Sequence, residues 1–327
     1  MPNPRSVRPS ISSLSFRARG VRLAIASTVI FFCVQGWTQS NPKFKVLVLG
    51  LPDSNHPQTG AAGIKAVQEI AAGQDYTVDA STDYSKVNDA SLANYQVILS
   101  VMAWQGEMPA AAQQSFQKFI ESGKGWMGFH TSTLAGIASP AWPFYDAWLG
   151  GITFKGHPGT RQNGTVKLET SAAAASHPVL QGMPATFSIH EEWYSWNKSP
   201  RGAANIQILA TVDETSYDPQ GTGMGSDHPV VWTNTKYGPM IITSLGHEPE
   251  AFSNANLRKL IASAIPWLAK SGTTAVSPTL GAPRNASSGP SLVWDGRHLL
   301  LRSRSAGTSL AGLDGRLFPG ALPLTLP

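Results

Sequence analysis

Cysteine is almost missing from this 327-residue chain, and the single one, Cys33, lies inside an apolar run at 21–34. If that run is a removable leader, the remaining protein has no disulfide, no thiolate metal site and no cysteine nucleophile. Lipid attachment at Cys33 is disfavoured by the preceding Phe31 and Phe32, which are bulky where such signals want small side chains.

Also lacking is any cluster of basic residues in the body of the chain. The formal charge is +5, but Arg5, Arg8, Arg17, Arg19 and Arg22 supply five positive charges with no acid among the first 22 residues. The tail beyond 272 adds a surplus of three, which leaves the body three charges on the acidic side. A surface that tracks phosphates gathers lysines and arginines on one element, so no nucleic-acid partner is expected.

Three signatures of common α/β enzymes are missing as well. Gly50 leads into Leu51-Pro52-Asp53-Ser54-Asn55, so no GxGxxG and no P-loop follows the first strand, and neither a nicotinamide nor a nucleotide cofactor is expected. No GxSxG is present, which removes the usual α/β-hydrolase serine. No HExxH or other local metal motif occurs either.

The run at 21–34 falls short of the roughly 20 apolar residues that span a bilayer. With its arginine-rich start and the small and polar residues at 38–40, the segment 1–40 reads as a signal peptide cleaved near Ser40. The expected destination is periplasmic, cell-surface or extracellular, with the membrane met only during export; a retained N-terminal anchor is the alternative.

What is present is alternation. The continuous apolar run 45–51 reads as a strand covered on both faces, followed by a helix at 61–72 and an extended stretch at 76–80. A strand at 96–102, a helix at 109–122 and a strand at 124–130 repeat the pattern, and a helical stretch at 134–149 follows. Strands at 165–169, 186–189, 206–212, 229–233 and 240–245 then give a β-rich part, closed by a helix at 255–269. The fold class expected is α/β: a doubly wound, mainly parallel, flavodoxin-like sheet with β-rich additions over 41–271. Residues 272–290 have linker composition, and 291–327 suggest a short β-like tail with strands at 291–294, 299–302 and 313–318 around Asp-Gly-Arg steps. That tail resembles the sorting or attachment modules of some secreted proteins; an extension with no role is the alternative.

Ligands of open α/β sheets bind outside the carboxyl ends of the strands. That rule singles out His130, which ends one strand and is placed to open the next helix, whose first amides favour an anion. His247 ends another strand in the same way. Either imidazole could exchange a proton near neutrality or hold a metal. Between them lies His190-Glu191-Glu192-Trp193-Tyr194, where aromatic faces could stack on a sugar and a carboxylate could handle protons; an acidic turn beside a buried Trp is the plainer reading. Strand alternation lets at most one of Glu191 and Glu192 reach a shared site. His157, Asp227 and His228 stand in loop contexts. If several of these converge on His130, they leave room for a divalent metal such as zinc.

In order, the stretches Gly128-Phe129-His130-Thr131-Ser132-Thr133, Phe154-Lys155-Gly156-His157-Pro158, Glu191-Glu192-Trp193-Tyr194, Asp213-Glu214-Thr215-Ser216-Tyr217, Gly223-Met224-Gly225 with Asp227-His228-Pro229, and Ser244-Leu245-Gly246-His247 resemble the ThuA-like trehalose-utilisation family. That family is a branch of the class I glutamine-amidotransferase-like fold. His130 occupies the apparent place of that fold's cysteine, and His247 that of its histidine, with Glu248 and Glu250 near its acid.

The resemblance implies a carbohydrate substrate, and cleavage or modification of a disaccharide or glycoside in a 3-keto form. In that reading His130 and His247 are acid and base and Glu192 is orienter or second base. Trp193 and Tyr194 form a sugar platform, and Asp227, His228 and His157 hold hydroxyls. A sugar-binding module without turnover and a metal-dependent hydrolase are the alternatives, and the oligomeric state is open.

Overall fold

A computed structural model of the chain describes residues 42–271 and two short strands beyond them. The expected leader 1–40 with Cys33, the expected linker 272–290 and the expected strand at 313–318 lie outside the described residues.

The main sheet is built from β1 (Phe44–Gly50), β2 (Tyr76–Ser81), β3 (Val97–Val101), β4 (Gly125–Phe129), β6 (Gln162–Leu168), β7 (Thr186–Glu191), β9 (Ile206–Asp213), β10 (Pro229–Asn234) and β11 (Met240–Thr243). Its strand order is β2-β1-β3-β4-β11-β10-β9-β6-β7. The first five run parallel, and from β11 onward every pairing is antiparallel. The β-rich additions expected from the sequence therefore extend the same sheet. Two very short strands, β5 (Phe154–Gly156) and β8 (Ser195–Trp196), pair beside it, and β12 (Ser291–Trp294) pairs antiparallel with β13 (Leu299–Arg302).

The α-helices are α1 (Thr59–Ala71), α2 (Asp89–Leu92), α3 (Ala110–Glu121), α4 (Pro143–Trp148), α5 (Ala172–Ala175) and α6 (Ala255–Ser271), joined by short 3₁₀ turns. The sheet is covered on both faces because successive residues of its inner strands are apolar, so that alternate ones feed opposite faces. Val46 and Val48 join Val67 of α1 and Leu260 and Ile265 of α6 in one core. Leu47 and Leu49 join Phe116 and Ile120 of α3 and Trp148 of α4 in the other. Glycine sets one close approach: a Cβ on Gly50 would fall 2.4 Å from the Gly60 carbonyl oxygen, so β1 and the start of α1 meet through bare backbone.

One expectation is corrected. Residues 134–149 are not one helix; only the six residues of α4 are α-helical, because Gly136 at φ +73° and the prolines at 140 and 143 break the preceding stretch. His130 consequently does not open an α-helix. It begins a single 3₁₀ turn, His130–Thr133, and no helix amides stand ready for an anion there. Among the described residues no helix is long and apolar enough to cross a membrane.

Candidate active site

The carboxyl ends of β1, β4, β7 and β11 bring four side chains together. His130 follows β4 directly and is fully buried, with a left-handed φ of +42°. A non-glycine residue held there stores strain of about 1–3 kcal/mol, of the kind found at functional positions. Its Nδ1 donates to the Ser244 carbonyl oxygen at 3.1 Å, and its ring lies against Tyr194 with centroids 4.1 Å apart.

His247 sits just beyond β11, after Gly246 at φ +103°. Its Nδ1 is 3.0 Å from His130 Nε2 and 3.3 Å from Glu192 Oε2. Glu192 follows β7 and also reaches His130 Nε2 at 3.5 Å, while its other oxygen is 3.3 Å from His157 Nδ1.

The fourth residue, His56, was not anticipated. It ends the loop after β1, with Nε2 3.1 Å from His247 Nδ1. Asp53 shapes that loop: one carboxylate oxygen accepts the backbone N–H of Asn55 at 2.7 Å and of His56 at 2.8 Å, and the carboxylate takes the His56 Nδ1 proton at 2.8 Å. Thr59 ties the same loop to the site by donating to the His247 carbonyl oxygen at 2.9 Å.

Alternation along β7 divides the adjacent acids. Glu191 points into the core and accepts the backbone N–H of Gly246 at 2.7 Å and of His247 at 3.1 Å. Glu192 faces the imidazoles, so only it reaches the cluster, as the strand period requires.

The electrostatics follow from burial and neighbours. Burial, the largest influence, pushes His130 down to about 4, so the ring is neutral at physiological pH. Burial would raise Glu192, but the hydrogen bonds to His130 and His247 outweigh it and hold the carboxyl well below the usual range. For Glu191 burial wins: its carboxyl is pushed up to about 8, although the two amides favour the charged form.

Two depressions flank His56. One, of about 460 Å³, is lined by Asp53, Met102, Trp104, Glu107, Thr131 and Tyr194. The other, about 230 Å³, is lined by His247, Arg161 and Glu248. A half-buried indole beside carboxylates in the larger hollow suits a ring that is apolar on its face and polar at its edge.

Four roles expected from the sequence are corrected. Trp193 is fully buried, stacks on Tyr217 and donates its Nε1–H to the Gln162 carbonyl oxygen at 3.0 Å, so it is core and no sugar platform. Trp104, half-buried just past the end of β3, lines the larger hollow instead. Asp227 binds Arg201 at 2.8 Å, and His228 is buried between Glu214, at 2.7 Å, and the Tyr194 carbonyl oxygen, at 2.8 Å. His228 thereby braces Tyr194, which packs on His130, whereas Asp227 belongs to a surface ion pair. Glu248 does not serve His247; it pairs with Arg161 and, at 3.3 Å, with His190.

Comparison with known proteins gives a consistent family. The ThuA family, described as trehalose utilisation, matches residues 45–268. A solved ThuA-like protein from Bacteroides uniformis ATCC 8492 is 26% identical with a TM-score of 0.62, over 70% of this chain and 92% of that one. Another, from Parabacteroides merdae ATCC 43184, is 19% identical with a TM-score of 0.52, over 70% of this chain and 90% of that one. No curated protein matches the sequence.

Proposed function

This chain belongs to the ThuA family, whose description is trehalose utilisation, and on that premise we propose that it cleaves or modifies a disaccharide or glycoside in a 3-keto form. The observation that carries the reading is the convergence of His56, His130, Glu192 and His247 at the carboxyl ends of four strands of one sheet. Such convergence is where open α/β sheets hold their ligands.

Within the cluster the groups have different work. His130, expected from the sequence as acid or base, is too deeply buried to meet a substrate and instead orients its neighbours. Glu192 stays ionised beside two imidazoles. His247 borders the smaller hollow, and His157 is about one-third exposed on the outer oxygen of Glu192. These two imidazoles are the groups placed to take and return a proton. A carbonyl beside a C–H makes that proton acidic enough for an imidazole to assist elimination of a glycosidic oxygen, without the paired carboxylates of ordinary glycosidases. Trp104 and Tyr194 line the hollow where the sugar ring would rest.

The test is product formation by the full chain on a panel of disaccharides and their 3-keto forms, with His247→Ala and His157→Ala in parallel. Turnover that falls at least about 100-fold in both variants, the low end of general acid–base contributions, supports the roles. Near-parental rates in both would sink them. We also propose that the chain is exported through 1–40; mass spectrometry of protein recovered outside the cytoplasm of a bacterial host should give a mature chain starting near residue 41, and an intact leader on that material would refute it.

A further inference from the structure

The tautomers of the cluster do not close as hydrogen bonds. His130 Nδ1 faces only a carbonyl oxygen, that of Ser244, so it carries the ring proton and Nε2 is a bare lone pair. His56 Nδ1 donates to the Asp53 carboxylate, so in the neutral ring its Nε2 is a bare lone pair as well. Both lone pairs, together with Glu192 Oε2, converge on His247 Nδ1 at 3.1, 3.0 and 3.3 Å. One nitrogen can donate at most one proton. Of the three acceptors, two of which sit on buried imidazoles, two are therefore left facing one another, an arrangement that costs free energy unless a cation lies among them.

We propose that His56, His130, His247 and Glu192 are the ligands of a transition-metal dication of the zinc class. Four atoms bound tetrahedrally at about 2.0–2.1 Å lie about 3.3–3.4 Å apart. Four of the six separations here are 3.0, 3.1, 3.3 and 3.5 Å, and one ligating atom from each residue lies within 4.8 Å of all the others. Imidazole nitrogens with one carboxylate suit zinc and its neighbours over calcium or magnesium, which want oxygens.

The outer groups are also those of a metal centre. A ligating histidine gives its second ring proton to a carboxylate or carbonyl, which is what Asp53 does for His56 and Ser244 for His130. Glu191 fixes the His247 backbone from behind. An ion could enter through the smaller hollow, which His56 and His247 both line.

The inference shares its location with the proposed function and rests on that reading only for the ion's use. With the ion bound, His247 Nδ1 is committed to it and proton transfer falls to His157, so the rate loss expected of His247→Ala is then the loss of the ion. The ion would supply polarisation of a substrate oxygen.

The experiment uses the full, untagged chain, purified without added metal, analysed for elements, stripped with chelator and titrated with Zn²⁺ by calorimetry. One ion per chain is expected. His56→Ala and His130→Ala should each weaken Zn²⁺ binding at least about 100-fold, the upper end of what losing even an outer partner costs. The exposed His190→Ala should bind like the parent. If His130→Ala fails to fold by circular dichroism, His56→Ala, on a loop, decides alone. A stripped parent that takes up no Zn²⁺, or a folded His56→Ala that binds as the parent does, overturns the proposal. Turnover separates the two readings: Zn²⁺ binding without any sugar turnover sinks the function and keeps the ion, whereas full turnover by a chain that binds no Zn²⁺ does the reverse.

Discussion

Glu191 holds the backbone of His247: its two carboxyl oxygens accept the N–H groups of Gly246 and His247, 55 and 56 residues further along the chain. A strand at the far edge of the sheet thereby fixes a residue at its centre. Glutamine can supply only one acceptor oxygen and would turn its NH₂ toward the other amide. We predict that Glu191→Gln lowers stability by about 1–3 kcal/mol, the cost of an unsatisfied buried donor. Urea unfolding of parent and variant measures it, and unchanged midpoints would show that the contact contributes nothing.

Asp53 is predicted to act on the cluster through His56. In Asp53→Asn the amide oxygen can still accept the two loop N–H groups, so the loop keeps its shape while the carboxylate behind the imidazole is lost. Zn²⁺ affinity should fall about 10–100-fold with the fold intact, the range for outer partners of metal-bound histidines. Calorimetry alongside circular dichroism reads both.

Two tryptophans, Trp193 and Trp104, should respond in opposite ways. Trp193→Ala opens a cavity in the core and is expected to cost about 3–5 kcal/mol. Trp104→Ala, at a half-buried position, should cost clearly less stability than Trp193→Ala and weaken sugar binding, seen as a raised KM. Equal effects on binding would restore Trp193 to the substrate.

Acid should destabilise the protein partly through His177. It is buried against Trp267 with ring centroids 4.8 Å apart, and burial holds its pKa below the ordinary 6.5. The unfolded chain then binds this proton more readily, so the contribution is present above pH 6.5 and lost as pH falls through the folded value. His177→Asn keeps an acceptor for the Val179 N–H, which His177 Nδ1 now accepts at 3.3 Å, and removes the titration. Its unfolding free energy should vary less between pH 7 and pH 5 than the parent's; an identical slope would clear His177 of any part.

Much of the fold is legible in the sequence because strands buried on both faces spell continuous apolar runs, as 45–51 and 240–245 do. β5 and β8 escape notice because three and two residues leave no period to detect. Of the cluster, His130, His247 and Glu192 are readable from strand ends. His56 is not, because its loop looks ordinary until it meets residues 191 positions away. Trp193 could have been placed from the alternation itself: it is in phase with Glu191, which faces the core, and out of phase with Glu192.

The long antiparallel excursion between β4 and β11 has a consequence for synthesis. A nascent chain emerges N-terminus first. His56 and His130 are present early, Glu192 later, and His247 only once the final parallel strand has been made. Every N-terminal fragment that stops short of residue 247 thus lacks a member of the cluster. The candidate cluster is therefore completed in translation only once residue 247 has been made, and fragments that stop before it are predicted to lack any turnover the cluster supplies.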